Sequence, residues 1–207
     1  MKAQLYVDRS TDVQSVALVD DGGIVAEETF DGLDSRSGGW VPRVKAFAAG
    51  VDIGRIVVGV GPGSFAGIRA ALAFAQGYAI GSGCEVAGLP SACSFALAEG
   101  RIAVVGDARR GKFWVALFDG PRLEKDIFQT GLEELGASVP PGVEVTTPDA
   151  RRIDGVLRNV FGGRYKGGGV PTAAGLARAA LANPSLLAAE PLPLYLNPAV
   201  RTEPQAL

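Results

Sequence analysis

The sequence repeats one pattern, and this repeat limits the possible folds more than any other feature. Each half of the chain, residues 1–99 and 100–207, opens with three predicted strands, and an Asp-containing turn follows the first strand of each set. The strands are predicted at residues 3–7, 13–19 and 24–30 in the first half and at 101–106, 112–118 and 122–128 in the second. Such a repeat predicts an internal duplication around a cleft.

Helices and further strands are predicted after each set of three strands. Apolar residues at helical spacing predict the helices, and short apolar runs predict buried strands. The predicted helices are 40–49, 68–80, 90–98, 132–135, 149–158 and 172–182, the predicted strands are 55–60, 85–89 and 143–146, and residues 162–169 are predicted to be a loop. This mixture of elements predicts the α/β class.

Histidine is absent from the 207-residue chain, which excludes several kinds of site. There is no Ser-His-Asp or Cys-His nucleophile pair, no histidine-bound metal and no histidine general base. The two cysteines, Cys84 and Cys93, are expected to be buried, reduced thiols. The N-terminus lacks an apolar signal segment, and charged residues interrupt the most apolar stretch, 68–89. We therefore expect a soluble, cytoplasmic protein without a membrane segment.

The charge balance of the chain is slightly acidic. Its 20 basic and 22 acidic side chains give a net charge of −2. Tight binding to nucleic acid usually requires a basic domain, because the affinity comes largely from phosphate contacts. The chain by itself is therefore expected to bind nucleic acid poorly.

A glycine-rich loop, Gly61–Gly67, separates a predicted strand from a predicted helix, as phosphate-binding loops do. Its spacing is neither that of a P-loop nor that of a dinucleotide-binding loop, and Pro62 lacks the N–H that contacts a phosphate. Ser64 is not in a nucleophile elbow, since Pro62 and Ala66 flank it where glycines would be required. We prefer a tight turn in which Ser64 caps the helix; a residual contact with an anion or nucleotide is the alternative.

The helix predicted after this loop is apolar on two sides. One stripe comprises Ile68, Leu72, Ala75 and Ala79, and the other comprises Ala70, Ala73, Phe74, Gly77 and Ile80. A helix that covers one sheet face needs a single stripe, so the second stripe predicts another burial partner. Its small side chains would let a second helix approach to about 8 Å. We prefer a subunit interface; complete burial within the chain is the alternative.

Asp8 and Asp107 each end the first strand of a half and begin a turn. In a duplicated fold they would face each other across the cleft, where sugar kinases, actin and Hsp70-like proteins hold a metal–nucleotide complex. Such a site needs small residues after the Asp, but Arg9 and the pair Arg109–Arg110 stand there. We prefer turn-capping acids; a nucleotide site is the alternative.

Four segments, in order along the chain, match the motifs of one known family. The most specific is GVGPGSFAGIRAALAFAQGYA at residues 59–79, which resembles the signature GPGSFTGLR. The others are YVDRSTDVQSVALVDDG at residues 6–22, GDARRGKFWVALF at 106–118 and PLYLNP at 193–198. They resemble the opening hairpin, a DAR-containing segment and the ending of the same family. Together the four segments resemble the TsaB (YeaZ) family.

The resemblance implies a fold, a function and partners. The fold would be the two-lobed actin/Hsp70/sugar-kinase-like (ASKHA) fold, with duplicated βββαβα halves and mixed sheets. The protein would be a non-catalytic subunit, without a cofactor or metal, that supports a TsaD-type enzyme in the N6-threonylcarbamoylation of adenosine 37 in ANN-decoding tRNAs. A TsaE-type ATPase would join this pair, tRNA would be met only through the complex, and the chain alone would form a homodimer.

The resemblance and the two apolar stripes together give the candidate residues. The first lobe would carry the partner-binding helices, and the tail of the second lobe would pack back on the first. The expected partner interface is Trp40, Val44, Phe47, Phe65, Arg69, Ala73, Gln76, Gly77 and Ile80, and the expected degenerate nucleotide cleft is Asp8, Ser10, Gly63, Ser64 and Asp107. The alternative functions are a stand-alone nucleotide-dependent enzyme of the same superfamily and a homodimer without catalysis.

Three positions and one short stretch depart from the family pattern. Ala66 and Ile68 stand where the signature has Thr and Leu, and Arg9 replaces a small residue after the first Asp. Residues 34–40 lack a histidine that many relatives carry before the first helix. The arginine further weakens a nucleotide role, because its side chain occupies the approach to the turn.

Overall fold

The first half of the chain forms a five-stranded mixed sheet with two helices on one face. The structure is a computed structural model, and it describes residues 2–21, 23–31, 39–96 and 99–196. The elements are the strands β1 (Ala3–Asp8), β2 (Val13–Asp20), β3 (Gly23–Asp31), β4 (Ile53–Gly59) and β5 (Glu85–Leu89) and the helices α1 (Trp40–Phe47) and α2 (Phe65–Ser82). The order is β3-β2-β1-β4-β5, in which β1 to β3 are antiparallel and β1, β4 and β5 are parallel.

The second half forms another mixed sheet with three helices. Its elements are the strands β6 (Arg101–Arg109), β7 (Lys112–Asp119), β8 (Arg122–Leu123), β9 (Phe128–Gly131), β10 (Glu144–Thr147) and β11 (Tyr165–Gly168) and the helices α3 (Leu132–Ser138), α4 (Ala150–Phe161) and α5 (Ala173–Ala182). The order is β11-β10-β6-β7-β8, and β9 also pairs with β7. Strands β6, β10 and β11 are parallel, whereas β7 is antiparallel to β6, β8 and β9.

The two sheets have the same topology, which confirms the predicted α/β fold of two duplicated halves with mixed sheets. Strands β6, β7 and β9 correspond to β1, β2 and β3, and β10 and β11 correspond to β4 and β5. In both halves the helix that follows the fourth strand, α2 or α4, begins beside the end of the first strand. The ends of β1 and β6 are therefore equivalent places in the molecule.

Helix α5 lies between the two sheets and forms the centre of the core. Seven of its ten residues are buried, and they pack with side chains from both sheets, among them Tyr6 and Phe118. Most are alanines, and such small side chains allow the sheets to approach the helix closely. Two further cores lie on the opposite sheet faces, under α1 and α2 in the first half and under α3 and α4 in the second.

The segment after α5 returns to the first half. Ala188 and Gly88 exchange two backbone hydrogen bonds of 2.8 and 2.9 Å at the edge of the first sheet. Further on, the Leu194 N–H donates to the carbonyl oxygen of Val60 at 2.8 Å. These bonds fix the described end of the tail beside the glycine-rich loop.

Three sequence predictions of secondary structure are wrong or incomplete. The strand predicted at 122–128 is divided between β8 and β9, since the charged residues Glu124, Lys125 and Asp126 separate them. The loop predicted at 162–169 contains β11, whose Gly-rich sequence gives no strand pattern and which forms by pairing with β10. The helix predicted at 90–98 is a short 3₁₀ turn, Ser91–Phe95.

The predicted burial of the two thiols holds for only one of them. Cys93 is fully buried, and burial raises the pKa of its thiol to about 12, whereas Cys84 is half-buried. Among the segments singled out in the sequence, residues 34–38 of the stretch without histidine and residues 197–198 of the tail motif lie outside the described residues.

Candidate functional site

The glycine-rich loop is packed directly against the turn that follows β1. The Ser64 N–H donates to the carbonyl oxygen of Ser10 at 2.7 Å. A Cβ at Gly63 would overlap that carbonyl, and a Cβ at Gly67 would overlap the carbonyl oxygen of Arg9. Both glycines are therefore required because two stretches of backbone meet there. The backbone of the first turn thus fills the space directly beside these two glycines.

The loop also uses its N–H groups within the protein. Gly61 donates to Oγ of Ser91 at 3.1 Å, and the Ser91 N–H returns a bond of 2.7 Å to the Gly61 carbonyl. Ser64 is the N-cap of α2, since its hydroxyl accepts a 3.2 Å bond from Gly67 and its carbonyl a 2.9 Å bond from Ile68. The preferred interpretation of a tight turn with a Ser64 cap is confirmed, although the helix starts at Phe65, earlier than predicted.

Asp8 is completely buried and closes the first turn. Its Oδ1 accepts a 2.9 Å bond from the Ser10 N–H and a 2.6 Å bond from the Ser10 hydroxyl. Its Oδ2 lies against Gly59 beside the hydroxyl of Ser91. Burial raises the pKa of this carboxyl, and the bonds from Ser10 and the nearby Ser91 partly oppose the increase. Asp8 is a turn-capping acid whose other oxygen, Oδ2, is buried and accepts no hydrogen bond from any described residue.

Asp107 caps the equivalent turn of the second half. Its Oδ1 accepts a 2.7 Å bond from the Arg109 N–H, in the same i to i+2 arrangement as Asp8. Its Oδ2 contacts Nη1 of Arg109 at 3.3 Å and Nε of Arg152 at 2.9 Å. Asp149 joins the group, because its carboxylate accepts a 2.8 Å bond from the Asp107 N–H and pairs with Arg152. Asp8 and Asp107 thus each accept hydrogen bonds from groups of their own half. In the described ranges no cluster of acids and cysteines is suited to hold a metal.

Helix α2 exposes one face, which we call the docking face. Ile68, Ala71, Leu72 and Ala75 are buried against the sheet. The docking face consists of six exposed residues, Phe65, Arg69, Ala73, Gln76, Gly77 and Ile80. Ile80 is 88% exposed and Phe65 47%, which is unusual for side chains of this size and polarity. All six belong to the interface expected from the sequence, and of them only Phe65 is partly covered by another segment of the described chain.

The other three expected interface residues belong to α1 and are not on this surface. Trp40 and Val44 are buried in the core, and Phe47 is only partly exposed. Trp40 packs its edge against Phe74 at 5.0 Å between ring centroids, and the guanidinium of Arg9 lies 4.5 Å from its ring centre. Trp40 and Val44 are therefore not available to a partner, because the apolar face of this eight-residue helix covers the sheet, whereas the expected role of the half-buried Phe47 stays a prediction.

One aromatic side chain beside the docking face was not expected from the sequence. Tyr195 of the tail stacks on Phe65 with 5.0 Å between ring centroids, and Arg69 lies 5.0 Å from the same ring. Tyr195 is 41% exposed and therefore extends the surface of α2. The sequence analysis placed the tail against the first lobe, but it did not give the contact between Tyr195 and α2.

A family model and several solved structures match the chain. Residues 10–127, more than half of the chain, match the family model described as "TsaD: tRNA N6-adenosine threonylcarbamoyltransferase". No curated protein matches the chain. None of the helices in the described part of the chain has the length and hydrophobicity of a membrane span.

Two solved structures share the fold. The first, an uncharacterized protein with similarity to peptidase YeaZ from Pseudomonas aeruginosa, has a TM-score of 0.74 and 21% identity over 95% of this chain and 100% of that one. The second, YeaZ from Pseudomonas aeruginosa, has a TM-score of 0.70 and 21% identity over 89% of this chain and 94% of that one. At this identity the likeness concerns the fold, which extends over nearly the whole chain.

Proposed function

The chain belongs to the TsaD family and has the two-lobed, actin-like fold of the YeaZ (TsaB) structures, and from this premise we propose that it is a TsaB-type subunit without catalysis of its own. It binds a TsaD-type catalytic subunit and supports the threonylcarbamoylation of N6 of adenosine 37 in ANN-decoding tRNAs. A TsaE-type ATPase joins the pair, and the complex acts in the cytoplasm. The observation that carries the proposal is the exposed, largely apolar docking face of α2.

The docking face has the chemistry of a protein interface. Ala73 and Gly77 leave the helix surface flat, so a partner helix can approach to about 8 Å. Ile80 and Phe65 stand at the two ends of this flat strip and offer large apolar groups, each worth about 2 kcal/mol when buried. Arg69 and Gln76 supply polar groups that can fix the position of a partner helix along α2. In the isolated protein the same surface serves a homodimer, which exchanges for the TsaD-type partner.

Two features of the cleft support a role without catalysis. The glycine-rich loop is closed against Arg9 and Ser10, and the N–H of Ser64 is used within the protein. Asp8 and Asp107 are engaged by their own turns. The competing function is a stand-alone nucleotide-dependent enzyme. It predicts that the isolated chain hydrolyses ATP with Mg²⁺ and that Asp8→Ala abolishes this activity. Such an activity would contradict the proposed function.

The test uses Gly77→Arg, because the site accepts the new side chain in the folded subunit. No atom lies within 4 Å of an added Cβ at Gly77. Replacing a helical Gly by Arg also favours the helix by about 0.5–1 kcal/mol, so the variant stays folded. The matched control is Leu132→Arg on α3, where the original side chain is 52% exposed.

Light scattering behind size-exclusion chromatography gives the readout, with the chain alone and mixed with the TsaD-type protein of the same genome. We expect wild type and Leu132→Arg to form the heterodimer, and Gly77→Arg to remain a folded monomer. A heterodimer formed equally well by Gly77→Arg would place the interface elsewhere. A wild-type homodimer unchanged by the partner would favour a homodimeric protein without this function.

A further inference from the structure

Four arginines lie on two neighbouring segments at the end of the second sheet that corresponds to the glycine-rich loop of the first. We call Arg109, Arg110, Arg151 and Arg152 the arginine cluster. Arg109 and Arg152 contact the same oxygen, Oδ2 of Asp107, at 3.3 and 2.9 Å. Arg110 and Arg151 are their chain neighbours. Strands β6 and β10 are paired, about 4.8 Å apart, so the hairpin after β6 and the start of α4 lie side by side.

The charge of the cluster is only partly neutralised. The acids within it, Asp107 and Asp149, are engaged by Arg109 and Arg152. Arg110 and Arg151 are exposed and form no ion pair with any described residue. Nearby elements add Lys112 on β7, the two acids that begin α3, and the Asp154–Arg158 pair on α4. Two guanidinium groups thus have no counter-ion among the described residues, although the net charge of the chain is −2.

The hairpin that carries two of these arginines has an unusual backbone. Arg109 and Arg110 have φ angles of 69° and 55°, and Gly111 follows with 72°. A two-residue hairpin of this kind favours Asn, Asp and Gly, because left-handed backbone is unfavourable for longer side chains. A purely structural turn would be better served by those residues. The two turn residues are Arg110 and Gly111, and Arg109 is the last residue of β6, so both arginines keep a left-handed backbone where an Asn, Asp or Gly would be less strained.

We propose that the arginine cluster binds backbone phosphate groups of tRNA in the assembled complex. This inference rests on the proposed function, which brings a tRNA to the complex. A guanidinium offers a planar pair of donors that matches a phosphate. Asp107 and Asp149 hold Arg109 and Arg152 in place, so less side-chain freedom is lost on binding. Two free cations are too few for tight binding by the isolated chain, in agreement with its acidic balance.

The test removes the two unpaired cations and keeps the network around Asp107. The variant is Arg110→Ser with Arg151→Ser. The control, Arg122→Ser with Lys166→Ser, makes the same charge change at the opposite end of the sheet, where these residues pair with Asp119 and Glu144. Anisotropy of a labelled tRNA measures binding to the complex with the TsaD-type subunit at several salt concentrations.

We expect the cluster variant to weaken tRNA binding roughly tenfold at 0.1 M salt and to reduce the salt slope by about 1.5, as for two lost phosphate contacts. The control should change binding less than twofold. Equal weakening in the variant and the control would show that only the net charge matters, and this would overturn the proposal. An unchanged affinity of the cluster variant would also overturn it. Loss of ATP binding by the isolated chain, with tRNA binding intact, would assign the cluster to a free nucleotide instead.

Size-exclusion chromatography separates this inference from the proposed function. If the cluster variant no longer binds the TsaD-type subunit, the arginines belong to a protein interface and the RNA proposal is wrong. If the wild type itself forms no complex, the proposed function fails. In that case the binding of labelled tRNA to the isolated chain at low salt is measured with the same variant and control. Weaker binding by the cluster variant alone supports the inference, and equal binding by the two overturns it.

Discussion

Helices α2 and α4 occupy equivalent places in the two halves, yet their outer faces are opposite in character. Both begin after the fourth strand of a sheet and cover it with apolar residues, such as Leu72 in α2 and Leu157 in α4. The outer face of α2 is formed by alanine, glycine, Phe65 and Ile80, whereas that of α4 carries Arg151, Arg152 and Arg158. The duplicated topology fixes the buried face, and the outer face is free to serve a different partner in each half.

The two Asp turns show the same divergence at smaller scale. Asp8 is buried and bonded to a serine, whereas Asp107 is held by two arginines at a partly exposed site. In the first half, direct contact between two stretches of backbone closes the turn. In the second half, an ionic network performs the same task and leaves charge at the surface. The three predictions below compare the first half, whose turn is buried and closed by backbone contact, with the second half, whose turn is held by ion pairs.

The largest effect is expected from Gly67→Ala, which tests how tightly the first half is closed. The added methyl would overlap the carbonyl oxygen of Arg9, which is backbone and has little room to move. We expect the free energy of unfolding in urea to fall by about 3 kcal/mol. In Gly77→Ala on the same helix the methyl meets no atom within 4 Å. That control should gain about 0.5–1 kcal/mol, and equal stabilities of the two variants would show that the loop is not closed.

A smaller effect should separate the two acids by their response to pH. Burial raises the pKa of Asp8 above its ordinary value of 3.8. The folded state therefore binds the proton more tightly than the unfolded state does. The stability that Asp8 contributes is thus fully present below pH 3.8 and is lost as the pH rises through the raised pKa. We therefore expect Asp8→Asn to stabilise the protein at pH 7 relative to wild type, and this advantage to vanish towards pH 3.5. Asp107→Asn should instead cost about 1 kcal/mol at pH 7, because Arg109 loses its ion pair and Arg152 keeps only the one with Asp149. Urea unfolding across this pH range provides the measurement; the same sign for both variants at pH 7 would remove the contrast.

The smallest effect concerns the edge of the docking face. Tyr195→Ala removes the ring that stacks on Phe65, an interaction worth about 0.5–1.5 kcal/mol. We expect the affinity for the TsaD-type subunit, measured by calorimetry, to fall about three- to tenfold. Leu192→Ala, at a tail residue that is 77% exposed, is the control and should leave the affinity unchanged. If both variants bind like wild type, the tail lies outside the interface.

Local sequence patterns were sufficient where a single segment decides the structure. The hairpin between β1 and β2, the Ser64 cap and the exposed positions Ala73 and Ile80 of α2 all follow from spacing and residue type. The spacing of Trp40 and Val44 marks an apolar face equally well, but it does not tell whether a sheet or a partner covers that face. This is why the two residues were expected at the surface.

Features that depend on contacts between distant segments could not be predicted. The arginine cluster joins two pairs of residues that are far apart in sequence, and only the pairing of β6 with β10 brings them together. The stacking of Tyr195 on Phe65 depends on the course of the tail. Strand β11 forms because β10 offers an edge, although its sequence, Tyr-Lys-Gly-Gly, has little strand propensity.

The central position of α5 has a consequence for the protein during its synthesis. Tyr6, Val57 and Leu89 of the first sheet pack in the core that α5 completes, yet this helix, Ala173–Ala182, begins 84 residues after Leu89, the end of the last strand of that sheet. At about 5–20 residues per second, a ribosome needs on the order of 5–20 s to supply it. During this interval the apolar face of the nascent first sheet lacks its cover, which makes it the surface where a chaperone would be most useful.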